Sequence, residues 1–128
     1  MKLFAKTAIA VAGIGIASMA MAADPIVGTW QTFDDDGKTP KGVVKITESG
    51  GVFTGKLVST VKPEGKKHVG ATVIKGLKSD GGNKYSGGSI TDPVKGKTYR
   101  MTSEVSGSTM KLKGYVGPFS RSQTWKKQ

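Results

Sequence analysis

Between Thr98 and Val116 the sequence reads "TYRMTSEVSGSTMKLKGYV", and apolar and polar side chains alternate on both sides of Gly107-Ser108. Tyr99, Met101 and Val105 interleave with Arg100, Thr102 and Glu104; Met110, Leu112 and Val116 interleave with Lys111, Lys113 and Tyr115. A period of two sends successive side chains to opposite faces of a strand. A two-residue turn with glycine first sets Val105 opposite Met110 and Glu104 opposite Lys111. The apolar pair then faces inward and the ion pair faces water, so turn chemistry and face pattern specify one register.

The same grammar extends upstream. "GVVKITESGGVFTGKLV" predicts a hairpin turning at Ser49-Gly50-Gly51, with Val44 and Ile46 on the face of Phe53 and Leu57. "VGATVIKGLKSDGGNKYSGGSI" predicts a third, turning near Asp80-Gly81-Gly82, and Asp92-Pro93 leads into a strand starting near Lys97. A first strand surrounds Trp30 and a last one runs from about Arg121 to Lys126. No stretch carries a helical period. The count is eight antiparallel strands joined mostly by tight turns. That is about the number at which an up-and-down sheet closes into a barrel filled by side chains or one small ligand. An open two-sheet sandwich is the alternative. The expected class is therefore all-β, a single small antiparallel barrel.

That domain is expected to occupy residues 23–128. Residues 1–22 read as a cleavable secretory signal: basic Lys2 and Lys6, an apolar run from Ala8 to Ala17, and an Ala20-Met21-Ala22 cleavage site. The apolar run is too short to span a membrane, and no cysteine stands at the cleavage site to carry a lipid. A periplasmic or secreted destination follows. With no cysteine anywhere, neither disulfides nor thiolate metal sites are available, so core and backbone ladders must hold the fold. A closed sheet suits that requirement because it leaves no edges to defend.

Three blocks, "PIVGTW", "GLKSDGGNKYSGGSITDPVKGKTY" and "GYVGPFSRSQTW", resemble in content and order a family of small bacterial envelope proteins catalogued as domain of unknown function 2147. The resemblance implies a secreted, lipocalin-like (calycin-like) barrel. In calycins a Gly-x-Trp on the first strand meets an arginine from near the last strand. Gly28-Thr29-Trp30 resembles the first part, and Arg121 is the candidate for the second. The resemblance thus implies a barrel-closing pair of Trp30 and Arg121, where a guanidinium over an indole is worth about 0.5–2 kcal/mol.

Catalytic chemistry finds little material. His68, the only histidine, sits in the lysine-rich "KPEGKKHVG", and reads as a solvated loop residue rather than a metal ligand. Asp34-Asp35-Asp36-Gly37 lacks the ligand spacing of a Ca²⁺ loop and reads as a polar hairpin turn. No Gly-x-Ser-x-Gly elbow appears, and the glycine clusters run into no helix that could cradle phosphate. The expectation is a non-enzymatic protein with neither metal nor cofactor.

Two functional readings stay open. One is a binding module for a small apolar or amphipathic ligand, using a barrel interior built from Trp30, Phe53, Leu57, Tyr99, Met101 and Leu112. The other is a cationic envelope protein that associates with anionic lipid, glycan or an acidic protein partner. Without Lys2 and Lys6 the chain keeps eighteen basic side chains against nine acids. Nucleic acid fits less well, since sixteen of those eighteen are lysines and its readers favour arginine forks. Outward lysines also protect and solubilise a sheet on their own account. Interior volume separates the two readings.

Overall fold

The structure, a computed structural model, describes residues 24–128; the expected signal segment lies outside the described residues. Eight antiparallel strands close into one barrel: β1 (Gly28–Phe33), β2 (Pro40–Ser49), β3 (Val52–Thr60), β4 (Thr72–Gly81), β5 (Lys84–Asp92), β6 (Lys97–Ser106), β7 (Thr109–Val116) and β8 (Phe119–Lys127). Each strand pairs with its sequence neighbours, and β8 returns to β1. The meander is closed, which excludes the open sandwich.

Turn glycines set the registers. Gly107 (φ 60°) starts the β6–β7 turn, and the pairing is the expected one, Val105 with Met110 and Glu104 with Lys111. Gly50 and Gly51, both with positive φ, form the β2–β3 turn and put Ser49 opposite Val52. The β4–β5 turn falls one residue later than the sequence suggested. Gly82 and Asn83 (φ 61° and 64°) occupy its centre, and Gly81 pairs with Lys84. Asparagine tolerates the left-handed region better than most non-glycine residues, so Gly82-Asn83 can serve as the turn pair.

The alternation buries one face of the strands from β1 to β7. Trp30, Ile46, Phe53, Leu77, Tyr85, Met101, Val105 and Met110 are all at most 3% exposed, and together they fill the lower half of the barrel. The Phe53 ring meets Tyr85 edge-on, with centroids 5.4 Å apart. That arrangement brings a positive ring edge to a negative ring face. Val116, expected on the inner face, is instead 53% exposed because β7 ends there at the rim.

One short helical turn breaks the all-strand expectation: a 3₁₀ helix over Pro63–His68 joins β3 to β4. Pro63 pre-sets its first turn. Gly65 is buried against Thr60, where a Cβ would lie 2.7 Å from the Thr60 hydroxyl, so only glycine lets the turn pack down. His68 ends this segment, half-buried, as a connection residue. No helix among the described residues is long and apolar enough to cross a membrane.

Candidate functional site

The two ends of the barrel are built differently. At one end the three tight hairpins and the segment Asp24–Val27 shut the interior. Ile26 is fully buried there, and the Trp30 indole N–H donates to its carbonyl at 2.8 Å. The Tyr85 hydroxyl donates to the Asp24 carboxylate. Burial and that carboxylate hold the phenol well above its usual pKa. This end is a floor.

Over the floor the inward positions shrink. Gly114 puts no side chain into the interior from β7, and Thr32, Val73 and Leu57 leave more room than the aromatics below; Gly42 on β2 instead allows a close approach, since a Cβ there would lie 2.7 Å from the Ser59 carbonyl oxygen. The result is a chamber of about 920 Å³ open at the other end, walled by Val44, Leu57, Ile90, Tyr99, Leu112 and Trp125. The Trp125 indole N–H donates to the Gln123 side-chain carbonyl at 3.2 Å beside the chamber.

The six interior residues expected from sequence divide between these levels. Leu57, Tyr99 and Leu112 line the chamber. Trp30, Phe53 and Met101 belong to the packed floor, at most 1% exposed, and are not among the chamber's lining. No alternation in the sequence marks Trp125 as an interior residue, and the reason is visible in β8. Its burial pattern is exposed at every position except Trp125, so no alternation marks the inner face.

The barrel-closing pair is a correction. Arg121 does not reach Trp30: its guanidinium lies 3.6 Å from the Asp35 carboxylate, and both side chains are more than 70% exposed. The cation over the Trp30 ring is Lys127, with Nζ 5.3 Å from the ring centroid. Register explains the exchange. Trp30 pairs with Lys127, whereas Arg121 lies six residues earlier on β8, opposite Gly114. At about 3.3 Å per residue that is roughly 20 Å away, at the open end. Arg100, the other arginine, stands outward over the Tyr115 ring at 5.4 Å.

The β1–β8 seam is short. Ladder pairing joins the strands only at Trp30 opposite Lys127 and Gln31 opposite Lys126, while β7 and β8 pair from Thr109 to Val116. Above Gln31 the two strands separate and leave a slot of about 280 Å³ between Phe33, Asp34 and Asp35 on one side and Arg121, Gln123 and Thr124 on the other. Phe33, Asp34, Asp35, Arg121 and Gln123 also line the chamber, so the chamber opens through the wall as well as at its mouth. The Arg121–Asp35 ion pair spans this slot.

Charge concentrates around the mouth. Lys62–Asp34 (3.3 Å), Arg121–Asp35 (3.6 Å) and Lys41–Asp92 (3.9 Å) tie the β1–β2 loop, the start of β2, the β3–β4 connection, the end of β5 and β8 into a paired rim. Asp36 is consumed by its own turn. Its carboxylate accepts the Thr39 hydroxyl (2.5 Å) and the amides of Thr39 and Lys38, which lower its pKa to about 2. The aspartate run is thus a polar hairpin turn, as its sequence suggested. Among the described residues no group of three or more His, Asp or Glu side chains could hold a metal ion.

Comparison with known proteins agrees with this architecture. No curated protein sequence matches the chain. Protein HP1028 from the human pathogen Helicobacter pylori, described as belonging to the lipocalin family, has a similar solved structure. The TM-score is 0.66 at 20% identity, over 80% of this chain and 82% of that one, which shows a shared lipocalin-like fold. The family of uncharacterized proteins conserved in bacteria, DUF2147, matches residues 28–127, the whole barrel from the first residue of β1 to the last of β8. The chain belongs to that family.

Proposed function

We propose that this protein is an exported, non-enzymatic binding module that takes a small apolar or amphipathic ligand into the open half of its barrel. The chamber carries the reading. At about 920 Å³ it falls at the upper end of the range of small-molecule sites, and its walls are chiefly apolar and aromatic. An apolar chain or ring system gains free energy by leaving water for a wall of Leu57, Ile90, Tyr99, Leu112 and Trp125. The charged rim then favours a ligand that keeps a polar group at the mouth. A lipocalin-like fold supports the same reading, and the leader-like residues 1–22 support export.

The non-enzymatic part rests on how the perturbed groups are used. Asp36 is tied to its turn and Tyr85 to Asp24 under the floor, so both are committed to structure. Native mass spectrometry of protein purified from its own host tests the proposal. The expected spectrum contains a ligand-bound species a few hundred daltons above the bare chain, absent in Gly114→Phe. Only the bare mass in the wild type opposes the proposal. Gly114 suits the test because an added Cβ meets its nearest atom, the Tyr99 Cβ, at an ordinary 3.5 Å.

A further inference from the structure

The acids of this chain are segregated. Asp34, Asp35, Asp36, Glu64 and Asp92 surround the mouth, and Asp24 sits beneath Tyr85. Glu48 and Asp80 lie at the closed-end hairpins, where Glu48 accepts the Gly51 amide. That leaves Glu104 as the only acid on the outer wall away from the strand ends. It pairs in register with Lys84 on one side and Lys111 on the other, so those two lysines have a carboxylate in their own rung.

The wall of β2, β3 and β4 has no such compensation. Lys45 and Lys56 are exposed and directly opposite each other, with Thr29 beside the first and Thr72 beside the second. Lys75 projects from β4 nearby, opposite Ser89. Like charges set directly opposite across a ladder repel and destabilise it. No carboxylate is among the residues paired in register with these three, whereas Lys84 and Lys111 both have Glu104 opposite them. The barrel therefore holds a repulsive rung on one wall while placing its acids elsewhere.

We propose that the β2–β4 wall docks this protein on an anionic lipid surface, with Lys45, Lys56 and Lys75 set against headgroup phosphates. Charge complementarity relieves the repulsion between Lys45 and Lys56. The threonine hydroxyls of the same rung, Thr29 and Thr72, add donors to phosphate oxygens. Neither the chamber mouth, at the barrel's end, nor the slot between β1 and β8 lies on this face. Its other exposed positions, such as Thr47 and Val58, include no aromatic ring to stack a base.

Co-sedimentation of the protein with phosphatidylcholine vesicles, with and without phosphatidylglycerol, tests this. Binding is expected only with phosphatidylglycerol and weakens with added salt. Lys45→Gln/Lys56→Gln lowers the partition coefficient about 30-fold, since each lysine near an anionic leaflet contributes a factor of about five. Lys84→Gln/Lys111→Gln removes the same charge from the compensated rung and leaves binding within about threefold of the wild type. Equal loss in both pairs assigns the effect to net charge and overturns the proposal, as does binding to neither vesicle or to both alike. Gly114→Phe, which fills the chamber, leaves vesicle binding unchanged; its loss in that variant assigns the interaction to the chamber instead.

Discussion

Lys127 holds its ammonium nitrogen 5.3 Å from the centroid of the Trp30 ring, and the same nitrogen donates to the Pro25 carbonyl at 2.9 Å. The lysine stem lies against Gly28, where a Cβ would come within 3.0 Å of Lys127 Cε. Gly-x-Trp is therefore a seat for the lysine as well as a carrier of the indole. Lys127→Ala is expected to lower stability by about 1 kcal/mol. Arg121→Ala should change it by less than about 0.5 kcal/mol, because the Arg121–Asp35 pair is solvent-exposed. Urea denaturation of the two variants checks this; equal losses, or a larger loss at Arg121, oppose the Lys127 seam.

Ser103 is 6% exposed on the inner face of β6, and its buried hydroxyl finds no hydrogen-bond partner among the described residues. A buried polar group left without a partner costs about 1–3 kcal/mol. Ser103→Ala removes it while keeping the Cβ that packs the core, so the urea midpoint should rise, by about 1 kcal/mol in stability. An unchanged or lowered midpoint contradicts an orphaned hydroxyl.

Asp36 gives the fold a weakness in acid. Its folded pKa, about 2, lies below the usual carboxylate value, so in acid the unfolded chain takes up the proton first. Its contribution is present above about pH 4 and is lost as pH falls toward 2. Asp36→Asn should flatten the fall of the urea midpoint between those values relative to wild type. Parallel curves would show that the turn does not hold the carboxylate ionised.

Tyr85 acts at the opposite extreme. Burial, reinforced by the bond to Asp24, raises its pKa, so the unfolded chain loses the phenolic proton first. Its contribution is present below about pH 10 and declines above it. Tyr85→Phe should show a shallower alkaline decline than wild type in the same denaturation series. A decline as steep as the wild type's places the Tyr85 proton in an ordinary environment.

Local pattern carried most of the fold. Val105–Met110 could be read from sequence because a two-residue turn and a period of two leave one register, and the same period put Val44 on the face of Leu57. The seam could not. Which β8 residue meets Trp30 depends on how far β8 slides along β1, and no turn connects those two strands. Arg121 was legible as an unusual residue, but its partner, Asp35, is set by the course of the β1–β2 loop. The division of the interior into floor and chamber was hidden for a related reason. Trp30, Phe53 and Met101 obey the same alternation as Leu57, Tyr99 and Leu112. Only their height in the closed barrel, together with the opening at Gly114, separates them.

The two tryptophans belong to different parts of one interior, Trp30 to the packed floor and Trp125 to the chamber wall, and each indole N–H has its own acceptor. Trp30 donates to Ile26 beneath the floor, and Trp125 donates to Gln123 beside the chamber. Their two indole N–H resonances therefore report floor and chamber separately, once Trp125→Phe has assigned them. In a titration with a long-chain fatty acid, a chamber ligand shifts the Trp125 resonance and leaves Trp30 in place. A Trp125 resonance that stays fixed at saturating fatty acid, or a shift confined to Trp30, contradicts ligand binding in the open half of this barrel.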